Sequence, residues 1–203
     1  MALKQESQKI RVKIIESDNK FSKSKIDLIM DLSNVITLGS EIRSKTRKFK
    51  KEYLELIENA KKIASVKNQK IKKKKKFSSI DWWNLGKLLD DFNKKIENEF
   101  VITNYTQAIS RDLEGFELSD TEVGVIRQFA RYFRKEEVLE EISIAHYRDF
   151  TWKRNQLSEY GILRQEKNRL VKMGKEKKLP DHKKYRKELQ LLITSNSKRS
   201  KHK

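Results

Sequence analysis

Ile109-Ser-Arg-Asp-Leu-Glu-Gly-Phe-Glu-Leu-Ser-Asp-Thr-Glu-Val-Gly-Val-Ile-Arg-Gln-Phe-Ala-Arg-Tyr-Phe-Arg134 reads as a helix, a turn at Glu114-Gly115-Phe116 and a second helix. Ser119 and Glu122 have the S-x-x-E spacing of a capping box, in which each side chain satisfies a backbone donor at a helix start. Beyond it Val123, Ile126, Phe129, Ala130 and Phe133 recur at three- and four-residue steps, so that one face is apolar and expected to be buried. The opposite stripe holds Gly124, Arg127, Gln128, Arg131 and Lys135. Arg and Gln make paired hydrogen bonds to base edges, and a helix fits the major groove. The stretch therefore predicts a helix-turn-helix nucleic-acid-binding element. The plainer alternative is a helical pair with a solvated charged face, as found in any all-helical protein.

Composition supports a helical reading. The chain has 203 residues, one proline and six glycines, which suits long helices better than a turn-rich β fold. Its formal net charge of +19 favours a polyanionic partner. The charge is uneven: residues 1–78 carry 22 cations against 9 carboxylates, residues 79–150 carry 9 against 15, and residues 151–203 carry 17 against 5. The motif-bearing centre is thus acidic, and attraction to phosphate is expected from its flanks. Cysteine is absent, which excludes disulfides and thiolate metal sites. With no apolar run of membrane-spanning length and no signal-peptide core, the expectation is a protein of the cytoplasm or nucleoid (the nucleus, in a eukaryote) without membrane attachment.

Outward from the motif, the predicted fold is all-α in four parts. Residues 1–66 are assigned to an N-terminal helical hairpin. Within them, Gln8–Glu16 alternates Ile10, Val12, Ile14 and Ile15 with basic residues, which fits a short strand or a basic helix. A first helix is expected from Ile26, Ile29, Met30, Leu32 and Ile36. A second, from about Ser40 to Ala64, is expected from Phe49, Tyr53, Leu56, Ile57, Ala60, Ile63 and Ala64. Arg43, Lys45, Arg47, Lys48, Lys50 and Lys51 crowd its start, against the helix dipole, and serve either a partner or solubility. Residues 67–78, with Lys72, Lys73, Lys74, Lys75 and Lys76, read as a flexible basic linker able to hold a phosphate backbone.

Residues 79–165 form the expected helix-turn-helix-like core. Ile80, Trp83, Leu85, Leu88, Leu89 and Phe92 define an amphipathic helix with Ser79 or Asp81 as cap, and Phe100 and Tyr105 packing beneath it. Trp82 and Trp83 are read as packing residues rather than a base-stacking platform. A short helix is expected over Glu136–Ile142, and another starting behind Ser143 as its cap. Residues 166–203 are assigned to a basic helical extension, broken at Gly174 and Pro180. Its last helix docks through Tyr185, Leu189, Leu191, Leu192 and Ile193, and the tail from Ser195 is expected to be disordered.

The order of short motifs resembles a known family. Trp83-Asn-Leu-Gly-Lys87, Ile109-Ser-Arg-Asp-Leu113, Gly115-Phe116 with Leu118-Ser119, Ile126-Arg-Gln-Phe129 and Ile142-Ser-Ile-Ala-His-Tyr147 follow one another. The series resembles the N-terminal helical domain of the YhcG-type family of unknown function, over about residues 80–150. There the pattern runs aromatic-x-x-Gly-Lys, Leu-Ser-x-Asp-Leu, Gly-Phe-Ser, Met-Arg-x-Phe and Leu-Ser-x-x-His-Tyr. The resemblance implies a helix-turn-helix-like nucleic-acid-binding domain, which in that family usually precedes a restriction-type nuclease domain. Here Ile144 stands where the family often has tryptophan. The roughly 50 residues after position 150 are too few for a mixed α/β nuclease domain. The resemblance thus implies the binding module without the catalytic one.

No catalytic or metal-binding constellation emerges from spacing. His146, His182 and His202 share no ligand spacing, and His146 is expected to make a structural hydrogen bond. Glu176-Lys-Lys178 has an E-x-K shape but no neighbouring strand, and neither a phosphate-cradling loop nor a dinucleotide fingerprint occurs. The sequence therefore predicts a non-catalytic DNA-binding protein without cofactor or metal. Arg127, Gln128 and Arg131 are expected near bases, and Arg134, Lys135 and Lys72 to Lys76 on phosphates. DNA ranks ahead of RNA. A ribonucleoprotein component, a protein partner on the acidic core and a homodimer remain open.

Overall fold

The computed structural model describes residues 9–16, 26–31, 39–72, 78–113 and 118–200, and the side chains of all of these but 31, 64–72 and 198–200. In chain order the elements are β1 (Ile10–Glu16), β2 (Ile26–Asp31), α1 (Gly39–Lys72), α2 (Ser79–Ile96), β3 (Phe100–Ile102), α3 (Tyr105–Asp112), α4 (Asp120–Tyr132), a 3₁₀ turn (Lys135–Glu137), α5 (Ile144–Glu159), α6 (Leu163–Lys175) and α7 (His182–Ser200). The chain is mostly helical, but it carries a small sheet, so the all-α expectation is corrected. Two compact units are present: residues 1–66 with 88–124, and residues 67–87 with 125–203.

The first unit is built around the sheet, in the order β2-β1-β3. The alternation in β1 settles it as a strand: Ile10, Val12 and Ile14 are buried while Arg11 and Lys13 are exposed. β2 runs antiparallel to β1 from Arg11↔Asp31 to Glu16↔Ile26, and β3 runs parallel to it from Ile10↔Phe100 to Val12↔Ile102. Past the end of β3, the Asn104 side chain continues the ladder: its Oδ1 accepts from Ile14 N–H (2.9 Å) and its Nδ2 donates to Ile14 C=O (2.8 Å). Over Ile26–Asp31 a strand stands where the first helix was expected, so the described residues hold no N-terminal helical hairpin. A six-residue segment with four apolar residues is too short to fix its period, and here pairing with β1 decides.

α1 carries Phe49, Tyr53, Leu56, Ile57 and Ala60 into the core on helical spacing, as expected. Phe49 meets Phe100 (ring centroids 4.9 Å) and Phe92 (6.1 Å), and Phe92 stacks on Tyr105 (6.2 Å). Tyr105 also donates its hydroxyl to Leu89 C=O at 2.7 Å, which fixes the expected packing beneath α2. Tyr53 donates to Asp112 Oδ2 (2.8 Å), and burial together with that carboxylate pushes the phenol far above its ordinary pKa. α1 reaches Lys72, so the first part of the expected linker is helical. Lysine is a good helix former, and each like-charge pair opposes a helix by only about 0.2–0.5 kcal/mol.

The second unit packs around Phe129, Phe133, Val138, Ile142, Tyr147, Phe150, Leu157, Leu170, Tyr185, Leu189 and Ile193. α2 starts one residue earlier than expected. Ser78 is the cap, exchanging hydrogen bonds with Asp81, while Ser79 donates to Ile142 C=O at 2.6 Å. The expected helix over Glu136–Ile142 is a single 3₁₀ turn followed by irregular chain. There the Tyr147 hydroxyl donates to Glu137 C=O (3.0 Å) and accepts from Leu139 N–H (2.9 Å), so a side chain takes the place of the next helical turn. α7 extends to Ser200, where a disordered tail was expected from Ser195. It docks through Tyr185, Leu189 and Ile193, but Leu191 is 70% exposed and does not join the core.

Candidate nucleic-acid interface

The helix at the centre of the sequence reading begins as its pattern predicts. Ser119 N–H and Oγ lie 3.0 and 2.9 Å from Glu122 Oε2, and Glu122 N–H donates to Ser119 Oγ (3.3 Å). Asp120 and Glu122 add negative charge to the first turn, opposite the positive end of the helix dipole. Val123, Ile126, Phe129, Ala130 and Phe133 are all buried. The expected turn at Glu114-Gly115-Phe116 lies outside the described residues.

A close helix crossing holds α4 in place. A Cβ built on Gly86 would lie 2.2 Å from Ile126 C=O, so only glycine permits this approach of α2. Nearby, the Trp83 indole N–H donates to Phe133 C=O at 2.7 Å, satisfying a carbonyl at the end of α4. Trp82 and Trp83 are both partly buried against the core, in keeping with the packing role expected of them.

On the outer stripe the burial differs from residue to residue. Arg131 is exposed, whereas Arg127 and Gln128 are half-buried. Val125 is buried too, so the open part of α4 is narrower than the sequence stripe suggests. Arg134 lies past the helix in extended conformation and is exposed, with its guanidinium 3.5 Å from the exposed Glu136 carboxylate. Lys135 is exposed at the start of the 3₁₀ turn. Glu137 closes this end: its Oε2 accepts from Arg134 N–H (2.7 Å) and lies 2.7 Å from Lys167 Nζ. Burial opposes its charge, but the hydrogen bonds from Lys167 and Arg134 outweigh that and leave its pKa below the ordinary value. Of the lysine run, Lys72 is the last residue of α1 and Lys73, Lys74, Lys75 and Lys76 lie outside the described residues.

Sequence reasoning missed the cation–aromatic contacts, those of Arg154 and Arg148 among them. The Arg154 guanidinium lies over the Tyr132 ring (5.1 Å) at the end of α4, and that of Arg148 lies over Trp152 (5.3 Å). The i,i+4 spacing of Arg148 and Trp152 was a usable signal; the Tyr132–Arg154 pair, across two helices, left none. Trp152 is 50% exposed.

Other charged groups have structural partners. Lys45, Lys48, Lys50 and Lys51 pair with Glu41, Glu99, Asp27 and Glu55, so the start of α1 is balanced locally more than either sequence reading supposed. Arg43 and Arg47 are exposed and make no ion pair among the described residues. His146 accepts from Ser143 Oγ at Nδ1 (2.8 Å) and lies 3.0 Å through Nε2 from Pro180 C=O. Because a carbonyl only accepts, the proton sits on Nε2. The buried carboxylate of Glu166 is held by Arg169 (2.8 and 3.0 Å) and the Tyr185 hydroxyl (3.2 Å), and buried Asp149 by Arg186 (2.7 and 3.1 Å). Glu176 stands at the end of α6 in ion pairs with Lys172 (3.9 Å) and Lys178 (3.1 Å), not on a strand.

Among the described residues no cluster of three or more histidines and carboxylates has the geometry to hold a metal ion, and no helix is long and apolar enough to cross a membrane. Comparison with known proteins gives no match to a family model, to a curated protein or to a solved structure.

Proposed function

We propose that this is a non-catalytic, helix-turn-helix-like DNA-binding protein in which the end of α4 meets the duplex and basic residues elsewhere supply phosphate attraction. The observation that carries the reading is the exposure of Arg131, Arg134 and Lys135 in succession at the end of a capped, firmly packed helix. Arg131 is the base-reading residue. Arg127 and Gln128, half-buried, contribute only at the edge of the contact, and Arg134 and Lys135 lie on phosphate, where Glu136 competes for Arg134. The proposed kinship with the YhcG-type binding domain belongs to this reading. So does the absence of catalytic work, which the structural engagement of His146 and Glu176 supports.

The test compares binding to genomic and random duplexes across a salt series. Replacing Arg127 and Arg131 by Ala is expected to reduce sequence preference more than total affinity. Neutralising Lys72 to Lys76 is expected to weaken binding to every sequence and flatten the salt dependence. Equal losses on all sequences from both variants would remove the reading helix. One observation favours a second reading: half-exposed Trp152 under Arg148 is suited to stacking on an unpaired base. A Trp152→Ala variant that loses single-stranded RNA binding but keeps duplex DNA binding would support it.

A further inference from the structure

The turn between α6 and α7 concentrates charge in a way the α4 reading leaves unused. Residues 172–187 contain eight cations and two carboxylates. Both carboxylates are engaged: Glu176 by Lys172 and Lys178, and Asp181 by the backbone N–H groups of Lys183 (3.0 Å) and Lys184 (3.1 Å), which it caps. Arg186 is held by Asp149. Lys175, Lys177, Lys183, Lys184 and Lys187 are exposed and, among the described residues, carry no ion pair.

This corner is mounted on a fixed frame. Gly174 fits against Ile142 so closely that an added Cβ would lie 2.5 Å from its side chain, Leu179 packs on the core, and His146 is tied to Pro180 C=O. α6 ends in a Schellman motif: Lys178 N–H donates to Met173 C=O (2.9 Å) and Lys177 N–H to Gly174 C=O (3.0 Å). That motif places Lys177 at φ 54°, in the left-handed region where a side chain is strained. α5 ends the same way, with Ile162 N–H on Leu157 C=O and Gly161 N–H on Ser158 C=O, and there the residue is glycine, at φ 67°. Attraction to the helix dipole does not explain the lysine, because Lys172 and Lys175 already occupy the last turn. A strained residue kept where glycine would serve points to use of its side chain.

We propose that Lys175, Lys177 and Lys178, with Lys183, Lys184 and Lys187 following on α7, form a contact for the phosphate backbone of duplex DNA. The proposal rests on the DNA-binding reading and adds a second, sequence-independent surface to it. Duplex DNA is favoured over an anionic membrane because none of the exposed large apolar residues lies in this stretch, and an interfacial membrane site needs an apolar face.

The test measures affinity for a random-sequence duplex from about 50 to 200 mM salt, on the full chain. Each phosphate contact contributes about −0.9 to the slope of log K against log salt. Replacing Lys175→Gln, Lys177→Gly and Lys178→Gln together is expected to flatten the slope by about 2–3. Lys177→Gly alone is expected to flatten it by about 1 while raising the Tm by about 2–4 °C, a division that a purely structural lysine would not give. A steep wild-type slope unchanged in the triple variant overturns the corner and leaves the DNA reading standing. Absence of wild-type duplex binding overturns both. A lower Tm for Lys177→Gly removes the strain argument. Loss of binding to phosphatidylserine vesicles in the triple variant, with the duplex slope unchanged, reassigns the corner to a membrane surface.

Discussion

Gly86 shows how much one hydrogen atom in place of a methyl group can decide. An alanine there would push its Cβ to 2.2 Å from Ile126 C=O, and backbone on a packed helix cannot move aside as a side-chain tip can. Gly86→Ala is expected to destabilise the protein by about 3 kcal/mol, measured by urea denaturation, the upper end of the range for overpacking. Gly124, with nothing within 4 Å of its Cβ position, is the control: Gly124→Ala is expected to be stabilising, by up to about 1 kcal/mol, through helix propensity. The motif containing Gly86 was visible in the sequence, but the need for glycine was not. It depends on Ile126, forty residues away in sequence.

Among the elements, the helices were far more legible than the strands. The faces of α1, α2 and α4 follow a 3.6-residue repeat, and the Ser119–Glu122 box marks a start within four residues, so local pattern was enough. β2 and β3 have no such signal. β3 is three residues long, and its partner lies ninety residues upstream, at Ile10–Val12. The end of α4 was hard to foresee for the same reason, because Glu137 and Lys167 come from distant segments. This pair has a definite pH signature. Glu137 has a lower pKa in the folded chain than in the unfolded one, so its contribution is fully present above the unfolded value and disappears as pH falls through the folded value. Wild type is therefore expected to exceed Glu137→Gln by about 1–2 kcal/mol at neutral pH. That advantage should hold above the ordinary glutamate value of about 4.3 and decline as pH is lowered past it in denaturation series.

For the whole molecule, the division of charge into basic, acidic and basic segments was legible from counting alone. Pairing was not: local carboxylates balance Lys45, Lys48, Lys50 and Lys51, and half-burial of Arg127 and Gln128 narrows the surface the stripe suggested. If duplex binding uses about six to ten phosphate contacts spread over the chain, affinity should fall about 10³- to 10⁵-fold between about 50 and 200 mM salt. Anisotropy titrations check this, and a fall of less than about tenfold would limit the contact to one or two phosphates. The sheet has a further consequence for how the chain matures. Its middle strand is made early, yet one of its two neighbours is not translated until residue 102, so one edge of β1 stays without its ladder while some ninety further residues leave the ribosome. A nascent chain stalled before that point exposes Ile10 and Val12 beside an open row of backbone donors and acceptors, and this interval is where chaperone capture or misassembly would strike.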